Sequence, residues 1–195
     1  MEAFSDGVFS IAATLLVLDI ALHPPGKPLE QVLREWPAYL GYVISFLTIG
    51  AAWLGHNGVT DRLARADSLL LRINLLLLLV VAFLPFPTRL VAEALNDTSG
   101  ERVFVTMYGL TLVTIRLLIA ALDWYARRAH LYTHTDADDE LQMERGKVWP
   151  TLAGYVVAIL IGLAAPAAAV VLYFAVAVFL VVPFRDVRRF LFGHS

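Results

Sequence analysis

Five polar side chains, Ser5, Asp6, Ser10, Thr14 and Asp19, are set into the apolar run FSDGVFSIAATLLVLDIAL. A carboxylate and hydroxyls in such surroundings can do two things: tie one helix to its neighbours by hydrogen bonds, or line a path for a cation. At 100° per residue, Ile11, Leu15, Leu18 and Leu22 form one narrow stripe with Thr14 on its flank, while Asp6 lies roughly 140° and Ser5 roughly 120° from Ile11. The carboxylate therefore does not share a face with the stripe. Ser5 and Asp6 must point at neighbouring helices, because a lone carboxylate at depth protonates or disrupts its surroundings.

Candidate partners stand at matching depth. His56 closes a second apolar run in AAWLGHN, and Asn74 lies near the start of a third in LLLRINLLL. Two readings of the set Ser5, Asp6, His56 and Asn74 stay open: a polar network that fixes helix positions, or part of a gate. The stripe has two readings as well, since leucine and isoleucine at helical spacing also face lipid or pack against other helices. Thr14 adds little by itself, because threonine can bond its own backbone. Asp19 is either an interfacial carboxylate in water or part of a charge ring that concentrates cations at an entrance.

Other chemistry finds little support. The chain has no cysteine, which removes disulfides, thiolate metal sites and cysteine nucleophiles. His130, His134, Asp136 and Asp138 can be imagined as metal ligands, but the loop that holds them reads more simply as solvated. There is no HExxH and no GxSxG, and Asp6 with His56 is the one pair that could converge, so the chain is not expected to be an enzyme and needs no cofactor. A net charge of −2 gives no reason to expect nucleic acid as a partner.

The elements that must position these groups are transmembrane helices. Of 195 residues 59% are hydrophobic and 16% charged, against roughly 25% charged in soluble domains. Mean hydropathy is +0.71. The expected class is all-α, a polytopic membrane protein forming one domain over 1–195, with six spans at about 4–22, 36–54, 68–86, 103–122, 149–165 and 167–184. The first run lacks a basic stretch ahead of it and is followed by HPPGKP, so it reads as a retained span and not a cleaved signal. Prolines 85, 87 and 166 are expected to break helices, the last forcing a tight hairpin. Arg62, Arg65, Arg127, Arg128, Arg145, Lys147, Arg185, Arg188 and Arg189 fall on the side that also holds both termini, against Lys27, Arg34, Arg89 and Arg102 on the other. Both termini are therefore expected in the cytoplasm.

The stretch FSDGVFSIAATLLVLDI resembles the first helix of the transmembrane protein 175 family, the lysosomal potassium channels of animals and their prokaryotic relatives. That family's pattern is an arginine, three residues, then Phe-Ser-Asp. Phe4, Ser5 and Asp6 match its second part, and the arginine's place falls ahead of Met1. Trp53, His56, Asn74 and Leu84-Pro85-Phe86 match further family positions. The resemblance implies a homotetramer in the bilayer, with four first helices around a central pore and no carbonyl filter loop. It puts the pore face on Ile11, Leu15 and Leu18, a potassium-preferring hydroxyl layer at Thr14, and packing of the motif on Phe4 and Trp53. Passive conduction of potassium and other monovalent cations follows, gated by the Ile/Leu constriction. Asp19 lies at the outer mouth, in what is expected to be a prokaryotic plasma membrane. An ion-coupled transporter or a non-conducting assembly subunit is the alternative.

Overall fold

The computed structural model describes residues 1–20, 29, 33, 35–94, 101–133 and 138–182. The expected residues Leu22, His134, Asp136 and Phe184 lie outside that set, as do the side chains of Asp19 and Asp138. The described elements are α1 (Glu2–Leu15) with a 3-10 extension (Leu16–Asp19), α2 (Trp36–Thr60), α3 (Ser68–Phe83), α4 (Pro85–Ala94), α5 (Glu101–Arg128), α6 (Asp138–Gly162) and α7 (Pro166–Val181). The chain is an all-helical, multi-pass membrane protein.

Length and composition decide which elements can cross a bilayer. Trp36–Thr60, Ser68–Glu93 and Glu101–Arg128 are long and apolar enough by themselves. The α1 helix adds about 21 Å of α-helix to about 8 Å of 3-10 rise and so just matches a hydrocarbon core of roughly 30 Å. The apolar parts of α6 and α7, Val148–Gly162 and Pro166–Val181, are shorter, about 22 and 24 Å.

Two helix ends differ from expectation. Pro85 does not end its span and Pro87 breaks nothing: one residue, Leu84, separates α3 from α4, and the helix restarts on the first proline and holds the second in its first turn. A proline in a first turn costs nothing because that N–H has no intrahelical partner. The break is further sealed when Thr88 Oγ1 donates to the Leu84 carbonyl at 2.8 Å. The second difference is Pro150, which lies inside α6 because that helix begins at Asp138, well before Trp149. By contrast, Pro37 and Pro166 sit in the first turns of α2 and α7, as their sequence positions suggest.

The core runs through all the spans, from Phe9 and Ala12 of α1 and Leu16 of its 3-10 extension to Tyr173 of α7. The α1 helix packs on α2 and α3, and α6 packs between α5 and α7. Polar groups are fastened inside it: Ser45 Oγ bonds Thr88 Oγ1 at 2.8 Å and the Tyr108 hydroxyl at 2.9 Å. At the end of the bundle carrying Thr60 and Arg128 the connections are paired. The Ala64 N–H donates to the Leu131 carbonyl and the Thr133 N–H to the Arg62 carbonyl, each at 2.9 Å.

Asp67 caps α3 at that same end. Its carboxylate accepts from the Leu70 N–H at 2.8 Å and from the Tyr125 hydroxyl at 2.6 Å. The Leu70 bond first, then the Tyr125 bond, hold its pKa below the usual aspartate range. A depressed folded pKa means that the cap stabilises fully above the ordinary value and that its contribution is lost as pH falls through the lower one. Thermal unfolding of Asp67→Asn should therefore lie below wild type at neutral pH, and the gap should close below about pH 4. A gap independent of pH would show that the charge is not what holds the cap.

Candidate functional site

The site is α1 and what holds it. One face of this helix is sealed into the bundle through Ser5, Phe9 and Ala12. The opposite face is turned away from the chain's other helices: Ile11 is 60% exposed, Leu15 42% and Leu18 71%. For Ser5, Ile11, Leu15 and Leu18 the angular division expected from periodicity is the division between buried and outward faces, whereas Asp6, expected on the buried side, is exposed. Thr14 is exposed too, and its hydroxyl donates to the Ser10 and Ile11 carbonyls, at 3.0 Å each. Its oxygen lone pairs remain able to accept from or coordinate another group.

Three of the four polar residues meet on the sealed face. The Asn74 amide oxygen accepts from His56 Nε2 at 2.8 Å, and its Nδ2 donates to Ser5 Oγ at 3.1 Å. Ser5 Oγ in turn donates to the Met1 carbonyl at 3.2 Å. Ser5, His56 and Asn74 are all buried, so every bond replaces one that water would otherwise supply. The Phe9 ring lies against the imidazole at a centroid distance of 5.4 Å. Among the described residues, His56 Nδ1 has no hydrogen-bond partner.

Asp6 does not join this chain of bonds. It accepts from Trp53 Nε1 at 2.9 Å, at the exposed margin of the α1/α2 contact. Trp53 and His56 are three residues apart and so share one face of α2, which lets one helix grip α1 at two neighbouring positions. Phe4 packs little within the chain, being 62% exposed on the outward side. Asp19 closes the 3-10 extension of α1.

Among the described residues no group of three metal-ligating side chains occurs, and His130, in a left-handed turn at φ 52°, is exposed. Two features escape a reading of periodicity. One is the Trp53–Asp6 bond, whose only signal is an indole one turn before His56. The other is Arg116, which counts in the sequence as one more basic residue near a span end but is 93% buried, with 7% exposure, inside the bundle.

Comparison with known proteins follows this geometry. The family model described as the endosomal/lysosomal potassium channel TMEM175 matches residues 1–85, the stretch that holds α1 and every partner named above. A protein of Streptomyces collinus named as a potassium channel is 43% identical over 136 residues, covering 68% of this chain and 66% of that relative. One of Chamaesiphon minutus, also named as a potassium channel, is 39% identical over 144 residues, covering 71% of this chain and 70% of the relative. The crystal structure of a lysosomal potassium-selective channel TMEM175 homolog from Chamaesiphon minutus superposes with a TM-score of 0.76 at 33% identity, over 92% of this chain and 93% of that one. Identity at this level over most of the sequence, joined to one helical arrangement along nearly the whole length, places the chain in the TMEM175 family.

Proposed function

We propose that the chain is a subunit of a potassium-preferring cation channel, a homotetramer whose first helices surround a central pore. The observation that carries this is the division of α1: Ser5 and Phe9 anchor one face while Ile11, Leu15 and Leu18 stand outward on the other. One chain cannot enclose an axis with a single stripe, so a pore on that face needs several copies. The names of the relatives and of the solved homolog supply the ion.

In this reading, rings of Ile11, Leu15 and Leu18 form an apolar constriction that closes sterically and by dewetting. Thr14 offers a layer of hydroxyl oxygens beside it, and Asp19 raises local cation concentration at the outer mouth. The Ser5, Asn74 and His56 chain, with Asp6 on Trp53, sets the tilt of the lining helix. Both termini face the cytoplasm of a prokaryotic cell, and no cofactor takes part beyond the permeant ion.

Reconstituted protein should carry a current that reverses near the potassium equilibrium potential. Ile11→Ala or Leu15→Ala should raise the conductance severalfold, because a methyl ring leaves a wider and more easily wetted constriction. Leu79→Ala is the control: Leu79 is 66% exposed on α3, outside the α1 stripe. Electroneutral flux of fixed stoichiometry, or a strict monomer, sinks the proposal.

A further inference from the structure

The outward face of α1 does not begin at Ile11. With Ile11 as zero, 100° per residue puts Phe4 at about +20° and Gly7 at about −40°. Glu2–Leu15 is one unbroken α-helix, so both positions continue the line of Ile11, Leu15 and Leu18 toward the Met1 end. Along the axis Gly7 stands about 6 Å and Phe4 about 10 Å from Ile11. Exposure agrees with the angles. Phe4 is 62% exposed, close to the 60% of Ile11, and a β-carbon added at Gly7 would meet nothing within 4 Å. This end of the face therefore carries an aromatic ring and, one turn on, an open gap.

The chemistry of that pair suits a cation but supplies no carboxylate. Glu2 and Asp6, the acidic residues at this end of α1, lie about 180° and 140° from Ile11, and Asp6 is bonded to Trp53. What the face offers instead is the negative π surface of a phenyl ring, whose pull on a cation strengthens as water is excluded. A small inorganic ion holds its hydration shell too firmly to gain much from it. An ammonium wrapped in alkyl groups spreads its charge over them, is weakly hydrated, and buries those groups against the ring as well.

In the conduction reading, on which this inference rests, the line faces the axis. Copies related by rotation then bring their Phe4 rings to one level as a collar. Gly7, with no side chain, leaves room between that collar and the Ile11 constriction. We propose that this inner chamber binds organic cations of the quaternary ammonium class, which enter from the Met1 end, stop at Ile11 and block conduction. Phe4 touches the bound cation, and Gly7 supplies the space.

The test adds tetrabutylammonium to either side of a planar bilayer holding the reconstituted full chain in potassium chloride. Wild type should be blocked from one side only, and more strongly as voltage drives the cation toward Ile11. Phe4→Leu keeps an apolar side chain without a π face and should weaken the block about tenfold, whereas Phe4→Tyr should retain it. The chain has no cysteine, so Gly7→Cys carries a single thiol inside the chamber. A positively charged methanethiosulfonate from the blocked side should cut its current, and tetrabutylammonium should slow that reaction about tenfold. This arm decides alone if Phe4→Leu does not assemble. A potassium current that tetrabutylammonium leaves unchanged, or blocks alike from both sides, overturns the inference and leaves the conduction reading standing. So does equal block of wild type and Phe4→Leu, or a Gly7→Cys thiol that the blocker does not protect. Wild type that carries no potassium current overturns both.

Discussion

Asn74→Leu should loosen α1 from the bundle and lower stability by about 2–3 kcal/mol, most of it from a single orphaned group. The amide bridges two helices by accepting from His56 and donating to Ser5. Interhelical hydrogen bonds in a membrane average only about 0.6 kcal/mol each, so the loss of two bonds alone would be modest. The larger part comes from burying His56 Nε2 with nothing to receive its proton, which costs about 1–3 kcal/mol. Ser5 suffers less, because its hydroxyl still donates to Met1. Pairing the change with His56→Phe should recover much of the loss, since apolar groups then replace both partners. Thermal unfolding of the two variants in one detergent checks this. Equal midpoints for wild type and Asn74→Leu would show that the polar chain does not hold α1.

Asp6→Ala should cost less than Asn74→Leu, although the carboxylate is the more conspicuous residue in the sequence. Both Asp6 and Trp53 are exposed, and a bond at the margin competes with water or with neighbouring polar groups.

The second large effect is expected at Gly109. A β-carbon there would overlap the Tyr173 hydroxyl and approach Ile159 Cγ1 at 2.5 Å. Tyr173 has nowhere to go: it is 1% exposed, its hydroxyl donates to the Val105 carbonyl at 3.2 Å, and Tyr108 and Tyr155 lie against its ring. Gly109→Ala must push α7 and α6 away from α5, an overpacking strain of about 1–3 kcal/mol, and it strands a buried hydroxyl for a similar amount. Adding Tyr173→Phe removes the atom in conflict and should return part of the stability. Gly50→Ala is the informative contrast. Nothing lies within 4 Å of its added β-carbon, so the helix-propensity gain of about 1 kcal/mol should act unopposed. If both alanines shift the unfolding midpoint the same way, the close approach of α5 to α7 is wrong.

How much of this was readable beforehand follows from what each quantity depends on. Spans are a property of local composition, so runs such as LLLLLVVAFLPF declare themselves without any neighbour. The two faces of α1 follow from 100° per residue, and that arithmetic separates Ser5 from the Ile11, Leu15 and Leu18 stripe in any fold. Depth along the spans was enough to bring Ser5, His56 and Asn74 together as candidates. Helix ends were less legible: Pro85 reads as a stop, yet it starts a new turn directly because the missing N–H falls where none is needed.

The tertiary structure decided what periodicity cannot contain. An angle about one helix axis says which way a side chain points and not which residue of a neighbour stands opposite, since that depends on the rotation and spacing of the second helix. Asp6 therefore looked like a member of the buried set and went instead to Trp53. Arg116 reads in the sequence as one more charge near a span end, yet packing buries it inside the bundle, where the missing side chain of Gly55 lets α2 come close to it. Sequence determined the spans and the faces through local geometry. Packing, summed over side chains far apart in the chain, determined the partners and the space between them.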